Sequence, residues 1–127
     1  MTDSRKKILL VENDGFTRFM MQEIRDTLGV SIDISASIHD GMIRFKSDPG
    51  SYGVVLMDVN EAEVDGLMAS QSIRGLQDPA CENIAIIAVS CDERLLDDGV
   101  LSSYGIDGHI QKPLTPGEVM ALVDRYC

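Results

Sequence analysis

Residues 8–14, which read ILLVEND, place four consecutive apolar residues directly before three polar ones. An unbroken apolar run of this length, bounded by polar residues, is typical of a β-strand that is buried on both faces. Residues 54–58, which read VVLMD, repeat the arrangement, with Asp58 as the polar residue that follows. The two stretches therefore predict strands of a sheet that is covered on both faces and carries polar groups at its carboxyl edge.

The rest of the chain alternates short apolar runs with longer amphipathic ones. Phe16, Met20, Ile24 and Leu28 recur at helical spacing, and residues 115–118 (TPGE) have the capping-box pattern of a helix start. Strands are predicted at residues 8–11, 32–36, 54–57, 84–89 and 108–111, and helices at 16–28, 42–45, 67–76, 93–104 and 116–126. This alternation indicates an α/β fold, a doubly wound parallel sheet with helices on both faces.

Length and charge exclude several classes of protein. The chain has 127 residues, which favours a single domain over residues 1–127. With 11 basic and 21 acidic residues its formal net charge is −10, so nucleic-acid binding is not expected. No apolar run approaches the roughly 18 residues of a membrane helix, and the polar N-terminus lacks the apolar core of a signal peptide. Three cysteines without a Cys-x-x-Cys pair indicate free thiols, a reducing compartment and hence a cytoplasmic location.

Polar side chains follow the predicted strands at the edge where function concentrates in doubly wound sheets. Residues 12–14 (END) follow the first strand, Asp58 the third, Ser90 the fourth and Lys112 the fifth. Carboxylate and amide oxygens suit Mg²⁺, and a carboxylate can accept a phosphoryl group as a nucleophile. A lysine and a hydroxyl could then hold the phosphoryl oxygens, because phosphoryl transfer depends mainly on positioning and charge neutralisation.

At these residues the chain resembles the response regulator receiver domain of two-component signalling. The resemblance covers nearly the whole chain and rests on four stretches in the same order, namely residues 8–14, residues 55–60 (VLMDVN) with Asp65-Gly66 following, residues 88–90 (AVS), and Lys112-Pro113. It implies a flavodoxin-like fold with strand order 2-1-3-4-5 and a cis peptide bond before Pro113.

The resemblance also implies a role for each matching residue. Asp58 would be the phosphoacceptor, and Lys112 and Ser90 would contact the phosphoryl group. Mg²⁺, the implied cofactor, would be held by four residues with oxygen donors: Glu12, Asn13, Asp58 and the backbone carbonyl of Asn60.

Further residues would transmit and time the signal. By the same resemblance, Ser90 and His109 would form the conformational switch, whereas Asn60 and Asp92 would tune how fast the phosphoryl group is lost. The implied partners are a histidine kinase or a histidine phosphotransfer protein on the input side. On the output side they are a downstream protein or a second copy of the chain. A stand-alone receiver and a piece of a longer kinase or regulator are both compatible with the sequence.

Three positions depart from the family pattern. The second acid after the first strand is Asn13, whose amide is neutral, so we expect weaker Mg²⁺ binding and weaker phosphorylation. The usual Met-Pro after the phosphoacceptor segment is Glu61-Ala62, and Glu61 could restore negative charge near the metal. His109 stands where the family usually has an aromatic switch residue.

Other interpretations stay open beside this one. The main alternative is a pseudo-receiver, a protein-interaction module of the same fold that signals without phosphorylation. An aspartyl-phosphate phosphatase is disfavoured because its Asp-x-Asp motif reads Asp58-Val59-Asn60 here, and we expect no classical enzyme. Residues 12–14 could simply begin a helix, with Asp14 as the cap before Gly15, and Ser90 could begin a capping box ending at Glu93.

Overall fold

Five parallel strands form one sheet in the residues that the structure describes. The computed structural model describes residues 5–59, 65–76, 78–92, 94 and 97–127. The strands are β1 (Lys7–Val11), β2 (Ile32–Ser35), β3 (Tyr52–Asp58), β4 (Ala85–Ser90) and β5 (Gly108–Gln111). They are hydrogen-bonded in the order β2-β1-β3-β4-β5, and each neighbouring pair is parallel. The predicted fold class and strand order are confirmed.

Helices lie between the strands and cover both faces of the sheet. Within the described ranges they are α1 (Gly15–Leu28), α2 (Ile38–Ser47), α3 (Asp65–Arg74), α4 (Pro79–Asn83), α5 (Asp98–Ser103) and α6 (Pro116–Tyr126). A single 3₁₀ turn, Pro49–Ser51, precedes β3. None of these helices is both long enough and apolar enough to cross a membrane.

The two faces of the sheet are packed into separate apolar clusters. Because successive side chains of a strand point to opposite faces, Leu9 and Val11 join one cluster, with Phe45 of α2. Ile8 and Leu10 join the other, with residues of α1 and α6. All four residues of this run are buried. The unbroken apolar run is therefore explained by burial on both sides.

Helix capping places the start of α1 directly after the polar segment 12–14. The Asp14 carboxylate accepts a hydrogen bond from the Thr17 backbone N–H at 2.9 Å, so Asp14 is the N-cap, as predicted. Gly29 ends the helix in the left-handed region, with φ of 67°. The predicted capping box of α6, between Thr115 and Glu118, is also present.

Some helix predictions were wrong in extent. The helix predicted over residues 93–104 is described only as α5, which begins at Asp98 behind an Asp97 cap; its predicted start at Glu93 lies outside the described residues. The helix predicted at residues 42–45 begins earlier, because Ser37 caps α2. The short helix α4 was not predicted, although Asp78-Pro79 supplies its start signal.

The apolar stripe of α1 is only partly buried. Ile24 and Met21 pack into the core, whereas Phe16 is 68% exposed and Phe19 is 56% exposed. The first turns of α1 extend past the edge of the core, so apolar residues at helical spacing are left at the surface there.

Lys6 and Cys127 meet at the amino edge of the sheet. The backbone N–H of Lys6 donates to the carbonyl of Cys127 at 3.4 Å. A Cβ atom at Gly53 would overlap the backbone carbonyl of Tyr126, so the end of α6 rests directly on the start of β3. Glycine is required at this close approach.

Arg74, at the end of α3, ties three segments together. Its guanidinium donates to the carbonyl of Gly105 at 2.9 Å and to that of Ile84 at 2.7 Å. It also donates to the carboxylate of Asp107 at 2.8 Å, which in turn accepts from the backbone N–H of Ile86 at 2.9 Å. These bonds connect α3 to the start of β4 and to the segment before β5.

We predict that Arg74→Ala lowers the free energy of unfolding by about 2–4 kcal/mol, because several carbonyls lose a charged donor at once. Arg74→Lys should recover only part of the loss, since an ammonium cannot reproduce the planar set of donors. Urea denaturation followed by circular dichroism measures both variants.

The matched control is Arg44→Ala, which removes an exposed ion pair with Asp40 within α2. That change should cost less than about 0.5 kcal/mol. Equal losses for the Arg74 and Arg44 variants would contradict the structural role assigned to Arg74.

Candidate phosphoacceptor site

The register of the sheet brings the ends of β1 and β3 together. Val11 pairs with Met57 across the two strands, and Asp58 pairs with Val89 on the other side of β3. Glu12, one residue beyond Val11, therefore lies beside Asp58 at the carboxyl edge. Its backbone N–H continues the ladder to the carbonyl of Ser35, at 2.9 Å, which fixes its position.

Lys112 reaches both acids from the segment that follows β5. Its ammonium donates to Oε1 of Glu12 at 2.8 Å and to Oδ1 of Asp58 at 3.0 Å. The three side chains are shielded from solvent, with exposed fractions of 8% for Lys112, 0% for Glu12 and 12% for Asp58. The peptide bond between Lys112 and Pro113 is cis, as predicted. We call these three residues the Glu12–Asp58–Lys112 cluster.

Burial and charge shift the pKa values in this cluster. Burial raises the pKa of Glu12 to about 7, against the hydrogen bond from Lys112, and the negative charge of Asp58 acts in the same direction as burial. Burial opposes the charged form of Lys112, but the hydrogen bonds to Glu12 and Asp58 outweigh it and raise its pKa. Lys112 therefore stays an ammonium, while a second full negative charge at Glu12 is costly.

The donor set fits a hard divalent cation. Oε2 of Glu12 is buried and has no hydrogen-bond partner among the described residues. Asn13 and Asp58 line one cavity of about 210 Å³, so an amide residue and a carboxylate residue border the same space. Mg²⁺ prefers oxygen ligands of these kinds. In the described part of the chain no three or more His, Cys, Asp and Glu side chains come together as a metal-binding group.

The family model of the response regulator receiver domain matches residues 8–124. The chain belongs to the response regulator receiver domain family. Two-component system protein A of Emericella nidulans is 30% identical over 96% of this chain. The match covers 17% of that relative, and the chain spans between 7% and 17% of the length of three curated relatives.

Solved structures show the same fold. Chemotaxis protein CheY4 of Vibrio cholerae has a TM-score of 0.79 at 16% identity, over 98% of this chain and 100% of that one. The receiver domain of sensor histidine kinase PA1611 of Pseudomonas aeruginosa has a TM-score of 0.78 at 21% identity, over 97% of this chain and 98% of that one. That structure is described with a magnesium ion coordinated in its active site cleft.

Ser90 ends β4 of this receiver domain and is buried. Its hydroxyl oxygen accepts a hydrogen bond from the backbone N–H of Asp92 at 3.1 Å, and its carbonyl accepts one from the backbone of Lys112 at 2.9 Å. The Asp92 carboxylate is paired with Arg94 at 2.7 Å. Ser90 thus lies one strand from Asp58. Its bond with Asp92 spans two residues, whereas the predicted capping box would use Glu93, which lies outside the described residues, and α5 begins at Asp98 behind its own cap.

His109 lies on β5, away from the Glu12–Asp58–Lys112 cluster. Its Nδ1 is 2.9 Å from a carboxylate oxygen of Asp98, the first residue of α5. The side chain is partly exposed. The predicted switch position therefore contacts the neighbouring helix of this receiver domain through a polar pair.

Two predicted site positions cannot be placed. Asn60, predicted as a metal ligand and as a tuning residue, lies outside the described residues, and so does Glu61. Of the predicted site residues, the structure brings Glu12, Asn13, Asp58 and Lys112 together.

The sequence did not indicate that Arg18 contacts the backbone of Glu12 and Asn13. The Arg18 guanidinium donates to the carbonyl of Glu12 at 3.0 Å and to that of Asn13 at 2.8 Å. The sequence also did not indicate the Asp98 partner of His109. The Arg18 contacts span five and six positions, and the His109 contact joins β5 to α5, but no residue pattern in the sequence signals either of them.

We predict that the contribution of Glu12 to the free energy of unfolding falls as the pH rises from about 4.5 to 7 in metal-free buffer. Glu12 has a pKa of about 7 in the folded protein and an ordinary value of 4.5 when unfolded. The folded state therefore binds the proton more tightly, and stability is lost as that proton leaves. Glu12→Gln should remove a component on the order of 1–3 kcal/mol from this pH dependence.

The measurement is urea denaturation at several pH values, with the exposed Glu23→Gln of α1 as the control. The difference between wild type and Glu12→Gln isolates Glu12, because other titrating groups are common to both. A difference that does not change with pH between 4.5 and 7 would refute the prediction.

Proposed function

We propose that Asp58 of this receiver domain accepts a phosphoryl group from a phosphohistidine of a histidine kinase or a histidine phosphotransfer protein. The observation that carries the proposal is the ammonium of Lys112 between the carboxylates of Glu12 and Asp58. Asp58 is the most exposed member of that cluster, so a donor can reach it from the edge of the sheet.

In the proposed step a carboxylate oxygen of Asp58 attacks the phosphorus atom of the phosphohistidine. Oδ1 accepts a hydrogen bond from Lys112, which leaves Oδ2 as the attacking oxygen. A P–O bond forms as the P–N bond breaks, and the donor nitrogen keeps the electron pair and takes up a proton from water. The domain is the acceptor in this transfer, not a classical enzyme.

The cluster supplies charge neutralisation for that transfer. Lys112 keeps its proton and stabilises the negative charge that moves onto the phosphoryl oxygens. When bound, Mg²⁺ would neutralise the same oxygens, and Glu12, Asn13, Asp58 and the Asn60 carbonyl form its proposed ligand set. Glu12 would give up its proton on metal binding, since a ligating carboxylate must be ionised.

The proposed output is a change in the surface formed by α5, β5 and α6. If the Ser90 hydroxyl bonds to the phosphoryl group, its bond with the Asp92 backbone must rearrange. Asp92 precedes α5, and Asp98 of α5 pairs with His109 of β5, so a shift at Ser90 can reach this surface. A downstream protein or a second copy of the chain would sense it.

A cytoplasmic location is part of the proposal. Cys81, Cys91 and Cys127 are all free thiols, which is typical of a reducing compartment.

We predict that incubation with acetyl phosphate and Mg²⁺ adds one phosphoryl group to the wild-type protein, measured by intact mass. Asp58→Asn should show no increment, because the amide is not a nucleophile, whereas Asp26→Asn, on the exposed side of α1, should behave as wild type. Omitting Mg²⁺ should suppress the reaction.

The absence of any increment from a folded protein under every metal condition would favour the alternative, a pseudo-receiver. The neutral amide of Asn13 in the cavity with Asp58 supports that alternative. Mg²⁺ affinity separates the two functions: millimolar or tighter binding fits the phosphoacceptor, and no binding fits the interaction module.

An apolar surface beside the cluster is suited to the phosphodonor protein. Phe16, Phe19 and Met20 form one exposed patch on α1, which we call the α1 patch. A cavity of about 230 Å³, lined by Phe16, Met20, Cys91, Lys112 and their neighbours, joins this patch to the site. A donor that presents a phosphohistidine to Asp58 must cover this edge, so we propose that its own apolar side chains contact the α1 patch.

We predict that Phe16→Gln and Phe19→Gln together slow phosphoryl transfer from a phosphohistidine protein about tenfold or more, because central apolar contacts dominate such interfaces. The rate from acetyl phosphate should stay unchanged, since that donor does not touch the patch. The assay uses a histidine phosphotransfer domain that phosphorylates the wild type.

The control is Ile43→Gln, which replaces a residue of α2 that is 55% exposed and lies outside the α1 patch. Equal slowing with both donors, or equal slowing by the Ile43 variant, would argue against docking on the α1 patch.

A further inference from the structure

The cavity beside Asp58 contains an acid that has no assigned role. Its described lining includes Asn13, Asp58, Asp65 and Gly66. Among the described lining residues, Asp65 and Asp58 are the acids, and Asn13 belongs to the chain segment after β1. Asp65 thus borders the same space as Asn13.

Close packing fixes the start of α3 against the phosphoacceptor. A Cβ atom on Gly66 would overlap the backbone carbonyl oxygen of Asp58, so the first turn of α3 rests directly on the end of β3. The hydroxyl of Ser70 donates to the Gly66 carbonyl at 2.9 Å within the buried side of the helix. Asp65, one residue before Gly66, is therefore held next to Asp58.

Asp14, the acid that follows Asn13 in the chain, has a different role. Both the backbone N–H and the hydroxyl of Thr17 donate to the Asp14 carboxylate, at 2.9 and 2.7 Å. Both bonds reach Oδ2 of Asp14 and hold this carboxylate as the N-cap of α1, and Asp14 is not among the described residues that line the cavity beside Asp58. Oε2 of Glu12 has no partner among the described residues, so the site retains an unpaired buried acceptor.

We infer that Asp65 supplies the negative charge that Asn13 lacks, by binding the water shell of a divalent cation at the proposed site. Mg²⁺ loses its waters reluctantly and usually keeps several of them, so an acid that lines the same cavity can act through those waters. This inference rests on the proposed function. Asp65 is assigned as a positioning residue, and the ligand set given above is unchanged.

A double-mutant cycle tests the inference through Mg²⁺ affinity alone, measured by calorimetric titration. The four proteins are the wild type, Asp65→Asn, Asn13→Asp and the double variant. Asp65→Asn should weaken Mg²⁺ binding about threefold to tenfold in the wild type, because a charge attraction across a few ångströms is lost. In the Asn13→Asp background the same change should weaken it less than about twofold, since a direct carboxylate is then present.

Controls separate this role from a structural one. Asp65→Glu should restore most of the affinity, and Asp124→Asn, on the exposed side of α6, should leave it unchanged. Thermal unfolding without Mg²⁺ measures how much Asp65 stabilises the start of α3. That structural contribution is the same in both backgrounds, so it cancels in the double-mutant cycle.

Three results would overturn the inference. One is equal weakening by Asp65→Asn in both backgrounds, and another is no weakening in the wild type. The third is weakening by Glu61→Gln when Asp65→Asn has no effect. If Asn13→Asp binds Mg²⁺ while Asp65→Asn changes nothing, only this inference fails. If no variant binds Mg²⁺ and acetyl phosphate leaves Asp58 unmodified, the proposed function fails as well.

Discussion

The ammonium of Lys112, held between two carboxylates at the edge of the sheet, is the interaction on which the site depends. Its partners lie 100 and 54 positions away in the sequence, so it forms only when β1, β3 and β5 are all in place. A buried ion pair of this kind adds little net stability, because the desolvation of its charges offsets their attraction. What it adds is position: it holds the oxygens of Asp58 and Glu12 in one arrangement next to solvent.

The same cluster carries one negative charge more than its ammonium can balance when both acids are ionised. Together with burial, this excess negative charge raises the pKa of Glu12. Either a proton or a bound cation can neutralise the excess charge. The apo domain is therefore strained electrostatically in the place where a metal is expected. Asn13 reduces the surplus relative to a site with a third acid, which makes the metal-free domain easier to maintain and the metal harder to bind.

Most of the architecture could be predicted from the sequence, because burial on both faces leaves unbroken apolar runs such as residues 8–11 and 54–57. The helix starts predicted at Asp14 and Thr115 were also confirmed, because capping is a local hydrogen-bonding preference. The start of α5 was less predictable, because Asp92, Asp97 and Asp98 are all acceptable first-turn residues and the apolar pattern there is weak. The pairing of polar residues at the strand ends followed from topology, which places the carboxyl ends of parallel strands at one edge.

Other features of the site depend on contacts that no local pattern records. The His109–Asp98 pair and the Gly66 contact with Asp58 each join a strand to a helix by packing. The Arg18 contact with Glu12 spans only six positions, but it depends on the angle at which α1 leaves β1. The exposed Phe16 and Met20 mislead a periodicity argument, because an apolar stripe does not reveal where the core beneath it ends.

The contact between Lys6 and Cys127 has a practical consequence. These two residues are hydrogen-bonded at the amino edge of the sheet, whereas Asp58 lies at the carboxyl edge. A fluorophore, affinity tag or surface tether attached at Lys6 or Cys127 would be separated from Asp58 by the length of the strands. The domain can therefore be immobilised in one orientation, with its phosphoacceptor edge facing solution and free to meet other proteins.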